Sequence, residues 1–517
     1  MESIGPTITR RLTDQWVFRE YIRLAVSVLA TMSTAGLALL VLSHEPLPFG
    51  DLRSSALATS IFCLLVTGLV LYVHHIPVLS FPSLFLVATF LFTCSPLILY
   101  QFQGSTAFRD WEWIDVDSTL VAMPLIALAF SSFLLGSMIM RTAIPKTDDP
   151  TTNERVGPDP DLRLFRRIGF ALYVASVLLI AAFSLTGGAL TFAFEGGYHA
   201  FHGAKRAGEI SQLAGVSLSR MLPWSLLILT ATTDDRRSRI VVVLMSIPAL
   251  AIMLAIGDRS GPIAAMVIIA SGMLLRGSRI SWGRSLAVAT LVAFLFPAIL
   301  NLREIPISQW SGDALEMAAT NQVEDTNTFE EDFLGGFLIT TSGSYQTLMA
   351  TVKVVPQEEE YHYGSDYMSS LVVALPFRSM ILPWLNVEIN RIPPSQWVLS
   401  YLHPGRTAGP GYLQLAEAYL QFGAVGIVGL FVILGWGLTR LWQFVASKPL
   451  DVRAVAFSLI VMSETLIWVR NSSELAVRAL VWGWLLIYLL PALFRGRRVP
   501  SNGQAERSVM LPLGLQA

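Results

Sequence analysis

The chain has 517 residues, of which 53% are hydrophobic and 14% charged, and its mean hydropathy is +0.57. Those values exclude an ordinary soluble protein and point to a chain that crosses a membrane many times. The formal net charge of −1 carries no basic tail that would mark a nucleic-acid partner.

Apolar runs predict an all-α polytopic protein of about twelve transmembrane helices, near 22–43, 54–73, 78–101, 119–140, 167–187, 216–233, 239–256, 260–275, 285–302, 411–440, 452–469 and 475–494. Together they make one transmembrane domain over 1–494, followed by a flexible cytoplasmic tail, 495–517. Arg10, Arg11, Arg19 and Arg23 lead into the first run, which is long and has no small-residue cleavage site. It reads as a retained anchor. Cys63 and Cys94 lie inside apolar runs and read as small core or lipid-facing residues rather than a disulfide.

The loop 102–118 carries Asp110, Glu112, Asp115 and Asp117 against Arg109, whereas 146–161, rich in Pro, Thr and alternating charge, reads as a flexible linker. Within 188–216, His199, His202, Lys205 and Arg206 recur at helical spacing beside Phe194, Tyr198 and Phe201. This pattern reads first as an interfacial helix with snorkelling cations, a reading compatible with a helix that grips a lipid phosphate.

Residues 257–261 read Gly-Asp-Arg-Ser-Gly, a tight turn between the apolar runs 240–256 and 262–275. Each run is short for a ~30 Å hydrocarbon core, which takes about 20 residues to cross. The turn is therefore drawn toward headgroup depth, where Arg259 is costly unless it meets an anion. A phosphate fits that demand.

Arginine bias sets the orientation. Arg236, Arg237 and Arg239, then Arg276, Arg279 and Arg284, then Arg495, Arg497 and Arg498 all fall on the side of the basic N-terminus. Both termini are expected in the cytoplasm. The loop 303–410, roughly 100 residues long and acidic (Glu324, Asp325, Glu330, Glu331, Asp332, 358–360), is then periplasmic, and loops of that length usually carry function. Inside it, 333–354 and 369–385 are apolar and read as re-entrant or membrane-surface helices.

Ionisable groups, with the polar Asn301 among them, gather at the outer helix ends: Arg220, Arg259, Arg303, Glu304, Glu417, Glu464, Arg470, Glu474 and Arg478. Arg470, Glu474 and Arg478 are four apart, the spacing of ion pairs along one helix face, and Glu464 is placed to neutralise Arg478 across the last hairpin. No HExxH, no paired His/Cys spacing and no Gly-rich nucleotide loop occurs, so neither a metal nor a nucleotide cofactor is expected. Asp115-Val116-Asp117 is an Asp-x-Asp by letter only.

The layout resembles the Wzy-type polymerases of bacterial O-antigen and exopolysaccharide, which are similar in architecture to O-antigen ligases and, with them, to the GT-C-like lipid-linked glycosyltransferases. Three stretches over roughly 160–490 carry the likeness: the arginine turn 257–261; the run 412–423, Tyr-Leu-Gln-Leu-Ala-Glu-Ala-Tyr-Leu-Gln-Phe-Gly, with Gly426 and Gly429, after the long loop; and Arg470 and Arg478 in the last hairpin. The resemblance implies transfer of a glycan from undecaprenyl pyrophosphate to a sugar hydroxyl of another lipid-linked repeat unit. It places that reaction on the periplasmic face of the cytoplasmic (inner) membrane, without nucleotide or metal. It also implies a flippase and a chain-length regulator as partners.

Guanidinium groups suit a pyrophosphate leaving group because they fork onto phosphate oxygens and stay charged. Arg259 and Arg478, with Arg470 or Arg303 assisting, are the expected phosphate ligands. For the base the ligase relatives point to a loop histidine, and His403 in His403-Pro404-Gly405-Arg406 stands in a similar place. No asparagine follows it, and the gap to Tyr412 is longer than in the ligases. Glu417 is an equal candidate and His362 a further one. Two other readings fit the same architecture: an O-antigen ligase acting on lipid A-core, and a non-enzymatic flippase or transporter of lipid-linked sugars. The missing His-x-x-Asn pattern argues against the first; the lack of two related halves argues against the second.

Overall fold

A computed structural model describes residues 5–42, 51–103, 116–139, 160–187, 221–255, 260–276, 338, 341–375, 392, 394–402 and 411–494. The regular elements are α1 (Gly5–Leu42), α2 (Leu52–His74), α3 (Phe81–Gln103), α4 (Val116–Ile139), α5 (Pro160–Gly187), α6 (Leu222–Ala231), α7 (Arg236–Ala255) and α8 (Ser260–Leu275). Then come α9 (Tyr345–Val354), α10 (Ser365–Ala374), α11 (Pro394–Leu402), α12 (Gln414–Ser447), α13 (Val452–Trp468) and α14 (Glu474–Trp484), with a π turn and a last helical turn to Phe494. Among the described residues seven helices are long and apolar enough to cross a membrane: α1 to α5, α12 and the stretch from α14 to Ala492. Eleven of the twelve expected spans overlap a described helix; the run 285–302, the loop 188–216 and the tail 495–517 lie outside the described residues.

The bundle is organised on α4. Most of its apolar window is buried (83%), against 17% for α1, so α4 is the axis and α1 the lipid-facing wall. Small residues make this possible, because helices in lipid associate by close backbone approach rather than by the hydrophobic effect. Gly136 of α4 lies against the Val432 carbonyl and Gly435 of α12 against the Phe133 carbonyl, where a Cβ at either position would collide. Phe85 of α3 stacks on Phe133 at 5.4 Å and lies 6.1 Å from Phe431, so one ring packs against both helices of that crossing. On the other side, Thr34 and Ser131 hydroxyls meet at 2.8 Å between α1 and α4. Cys63 and Cys94 are both free and buried, as their setting in apolar runs predicted.

One end of the bundle is tied by arginines to backbone carbonyls. Arg276 donates through Nε to Thr233 O at 3.0 Å and through Nη1 to Pro449 O at 2.7 Å, and Arg239 reaches Arg276 O at 3.3 Å. Thr233 after α6, Arg239 in the first turn of α7 and Arg276 after α8 thus share one end with the turn after α12. At the other end α9 packs against α12 and α10 against α14, while α11 packs on α9; all three come from the long acidic loop. The apolar run 333–354 ends in α9 and the run 369–385 overlaps the second half of α10; residues 333–337, 339–340 and 376–385 lie outside the described residues.

Candidate functional site

At that second end α12 begins with about two buried turns, Gln414 to Gln421, and then breaks. Phe422 (φ −146°, ψ 20°) and Gly423 (φ +61°, ψ −144°) leave the helical region and separate a short first half from the long spanning half. A break in an apolar helix frees backbone carbonyls that lipid cannot satisfy. The loop before α10 does so: His362 N donates to Leu420 O at 3.0 Å and Tyr363 N to Gln421 O at 2.9 Å. Gly423 is required here twice over, by its positive φ and because a Cβ would fall 2.9 Å from the Tyr361 hydroxyl.

Glu417, in the first half of α12, is wholly buried. Its Oε2 accepts from Trp468 Nε1 at 3.0 Å and from Ser473 N at 2.9 Å, and its Oε1 from Ser473 Oγ at 2.7 Å. Both carboxylate oxygens are therefore engaged by donors of the turn between α13 and α14. Backbone bonds reinforce the latch, Tyr412 N to Arg470 O at 2.8 Å and Gln414 N to Val469 O at 3.1 Å. Gly411, at φ +92°, lets the chain pass Arg470; a Cβ there would lie 2.5 Å from its carbonyl oxygen. On the far side Thr351 Oγ1 meets the Tyr412 hydroxyl at 3.1 Å, and Thr347 Oγ1 accepts from Leu413 N at 3.1 Å.

The latched turn carries Arg470, and α14, which starts at its end, carries Arg478. Arg470 lies 5.7 Å over the Phe92 ring of α3, a cation–π contact. Arg478 pairs with Glu474 one helical turn earlier, as their spacing predicted, with side chains 35% and 20% exposed. Glu464, read above as the counter-charge to Arg478, instead accepts at Oε1 from Trp224 Nε1 at 3.1 Å. Arg259, Arg303 and His403 lie outside the described residues.

Beside the latch stands a group that sequence reasoning saw only in part. His362 Nδ1 lies 2.8 Å from Asp366 Oδ2, and Gln421 Nε2 donates to the same oxygen at 2.5 Å while Asp366 N reaches Gln421 Oε1 at 3.4 Å. Asp366 is buried; the His362 side chain is a quarter exposed. In the neutral ring, the tautomer that donates from Nδ1 to the carboxylate leaves Nε2 as an acceptor. The i,i+4 spacing of His362 and Asp366 was a readable signal, but Gln421 comes from a helix 55 residues on.

Ser370 Oγ, 3.1 Å from Ser473 Oγ, joins this group to the Glu417 latch. The Tyr367 hydroxyl is buried with no hydrogen bond among the described residues. Burial pushes its pKa well above the phenol range, and the charges of Glu417 and Asp366 add to that.

On the outer flank Glu359 accepts from Trp397 Nε1 at 2.8 Å and from the Tyr401 hydroxyl. That hydrogen bond, with burial second, pushes Tyr401 up to about 12. Trp397 also sits edge-on to the His362 ring at 6.0 Å. Guanidinium groups on one side of the Ser370–Ser473 link and an imidazole backed by a carboxylate on the other supply the chemistry to hold phosphate and to take up a proton.

The chain matches the family model described as O-antigen polysaccharide polymerase Wzy over residues 26–497. No curated protein and no solved structure matches it.

Proposed function

The chain belongs to the Wzy family of O-antigen polysaccharide polymerases, and from that premise we infer that it joins repeat units carried on undecaprenyl pyrophosphate at the periplasmic face of the inner membrane. Members of this family act on lipid-linked glycan repeat units in the membrane, and the chain is an integral membrane protein. In the reaction an acceptor sugar hydroxyl attacks the anomeric carbon of the donor glycan. A new C–O bond forms, the bond from that carbon to the pyrophosphate oxygen breaks, and undecaprenyl pyrophosphate departs with the electron pair. The hydroxyl proton goes to a base.

Arg470 and Arg478 hold the pyrophosphate in this reading, and Arg259 and Arg303 complete the clamp. Preorganised guanidinium groups in a water-poor site stabilise developing charge on the leaving group by roughly 3–4 kcal/mol per well-placed donor. The observation that carries the reading is the latch: Glu417 engages the turn between Arg470 and Arg478 with both oxygens. A carboxylate so occupied is suited to positioning and poorly suited to proton transfer. Of Glu417, His403 and His362 as base, His362 is favoured by its buried carboxylate partner and partly exposed ring.

The test is direct. Full-length protein in nanodiscs is given purified lipid-linked repeat units and the products are separated on a gel. A ladder of lengthened glycan is expected; repeat units recovered at their starting length overturn the reading.

A further inference from the structure

Tyr363 stands in a conformation that its side chain disfavours. Its φ is +46°, in the left-handed region that is uncommon for a bulky residue with a Cβ. No burial of the ring accounts for this, because the residue is 68% exposed. The surroundings enforce it instead. Tyr363 N is tied to Gln421 O at 2.9 Å and Ser365 N to His362 O at 3.0 Å, while Gly364, at φ +85°, packs under the Phe422 ring. Backbone strain of this kind persists where the fold over-determines it, and it concentrates at functional sites. The strained turn exposes the aromatic ring of the residue that follows His362 in the chain, and Tyr361 braces that ring edgewise at 6.3 Å.

We propose that Tyr363 is the platform on which the acceptor sugar stacks, a subsite that sets the acceptor hydroxyl against His362; the proposal rests on the polymerase reading. One face of a pyranose carries axial C–H bonds and is apolar, while its hydroxyls project around the rim. An exposed, rigidly held aromatic ring suits that face, having few rotamers to lose on binding. Rim hydroxyls then meet the polar groups nearby, His362 among them. A lipid-anchoring role for Tyr363 at headgroup depth is the rival account.

Left-handed backbone lets the ring be removed cleanly, since glycine adopts this φ without strain, and binding of a lipid-free oligosaccharide separates the two accounts. Tyr363→Gly therefore removes the ring without unfolding the turn, and Tyr363→Trp restores an aromatic face. Wild-type and variant proteins in nanodiscs are given the free repeat oligosaccharide, released from its carrier by mild acid, and saturation transfer to it is read by NMR. Ladder formation is measured in parallel against lipid-linked repeat-unit concentration.

Tyr363→Gly is expected to keep the wild-type melting temperature, to lose the transfer signal and to raise KM about tenfold. Its kcat should stay within about threefold of wild type, and Tyr363→Trp should retain both signals. Wild-type transfer and KM in Tyr363→Gly overturn the platform and leave the polymerase reading standing, as does a change confined to the amount of protein in the membrane. Ring-dependent oligosaccharide binding by a wild type that builds no ladder overturns the polymerase reading and keeps the sugar subsite.

Discussion

Glu417 and Ser473 meet twice: the carboxylate takes the backbone N–H of Ser473 at 2.9 Å on one oxygen and its hydroxyl at 2.7 Å on the other. The pairing fixes the start of α12 to the start of α14, and through it the turn that carries Arg470 and the helix that carries Arg478. A carboxylate buried this completely is tolerated because three donors, Trp468 included, converge on it.

Glu417→Ala leaves the Trp468 indole N–H, the Ser473 N–H and the Ser473 hydroxyl buried without an acceptor. Each orphaned group costs about 1–3 kcal/mol, so a lower melting temperature in detergent is expected together with loss of polymer. Glu417→Gln keeps one acceptor oxygen but turns an NH2 toward a donor, and should fall between Glu417→Ala and wild type. Wild-type stability and a full ladder for Glu417→Ala would be incompatible with the latch.

The crossing of α4 and α12 gives a prediction about stability. Gly136→Ala and Gly435→Ala each drive a methyl into a carbonyl of the facing helix, and overpacking of that kind typically costs about 1–3 kcal/mol. A Cβ at Gly437, on the same helix as Gly435, would meet nothing within 4 Å. Gly437→Ala should thus be neutral, or stabilising by about 0.5–1 kcal/mol through helix propensity. Thermal melts of the three variants check it, and equal behaviour at all three positions would remove the close-approach account.

How much of this was legible in the sequence depends on the range of the interaction concerned. Helices follow from continuous apolar runs, and the Arg478–Glu474 pair follows from four-residue spacing, since both are local. Gly423 and Glu417 stood out in the run 412–423, yet nothing local announces that the helix breaks at Phe422, because the break depends on donors from His362 and Tyr363. The same holds for Ser473 and Gln421: their partners lie 56 and 55 residues away, and serine and glutamine carry no signal of their own. Glu464 shows the converse error of range, where charge alone suggested Arg478 and the fold supplied the Trp224 indole.

The His362–Asp366 pair predicts a graded series. Asp366→Asn keeps the shape but weakens control of the imidazole tautomer, and His362→Gln removes the proton acceptor. A positioned general base contributes about 10²–10⁴-fold, so His362→Gln should lose at least about a hundredfold in ladder rate, with Asp366→Asn between it and wild type. Membrane levels of both proteins are measured alongside. Full activity in His362→Gln would transfer the base to another residue, His403 first.

Tyr401 and Glu359 give a pH dependence with a definite sign. A phenol held above its ordinary value of about 10 stabilises the fold in its protonated form. That contribution is complete below about pH 10 and is lost as pH rises through about 12. Tyr401→Phe, which cannot donate, should lack this loss, so melting curves of the two proteins should converge at high pH. Curves that stay parallel from about pH 9 to about pH 12 would speak against a hydrogen bond of any consequence.

Arg478 separates structural from functional use of charge. Arg478 and its partner Glu474 are 35% and 20% exposed, and ion pairs that solvent or headgroups reach contribute at most about 1 kcal/mol. Arg478→Ala should therefore fold and insert normally. If the guanidinium clamps the leaving pyrophosphate, its removal costs about 10²–10³ in ladder rate. Arg478→Lys keeps the charge but loses the planar fork that binds two phosphate oxygens at once, so partial activity is expected. Glu474→Gln supplies the remaining contrast: it breaks the same ion pair and leaves the guanidinium in place, so activity should persist. Loss of activity in Glu474→Gln equal to that in Arg478→Ala would mean that the pair itself matters, and the clamp would have to be sought elsewhere among the outer arginines.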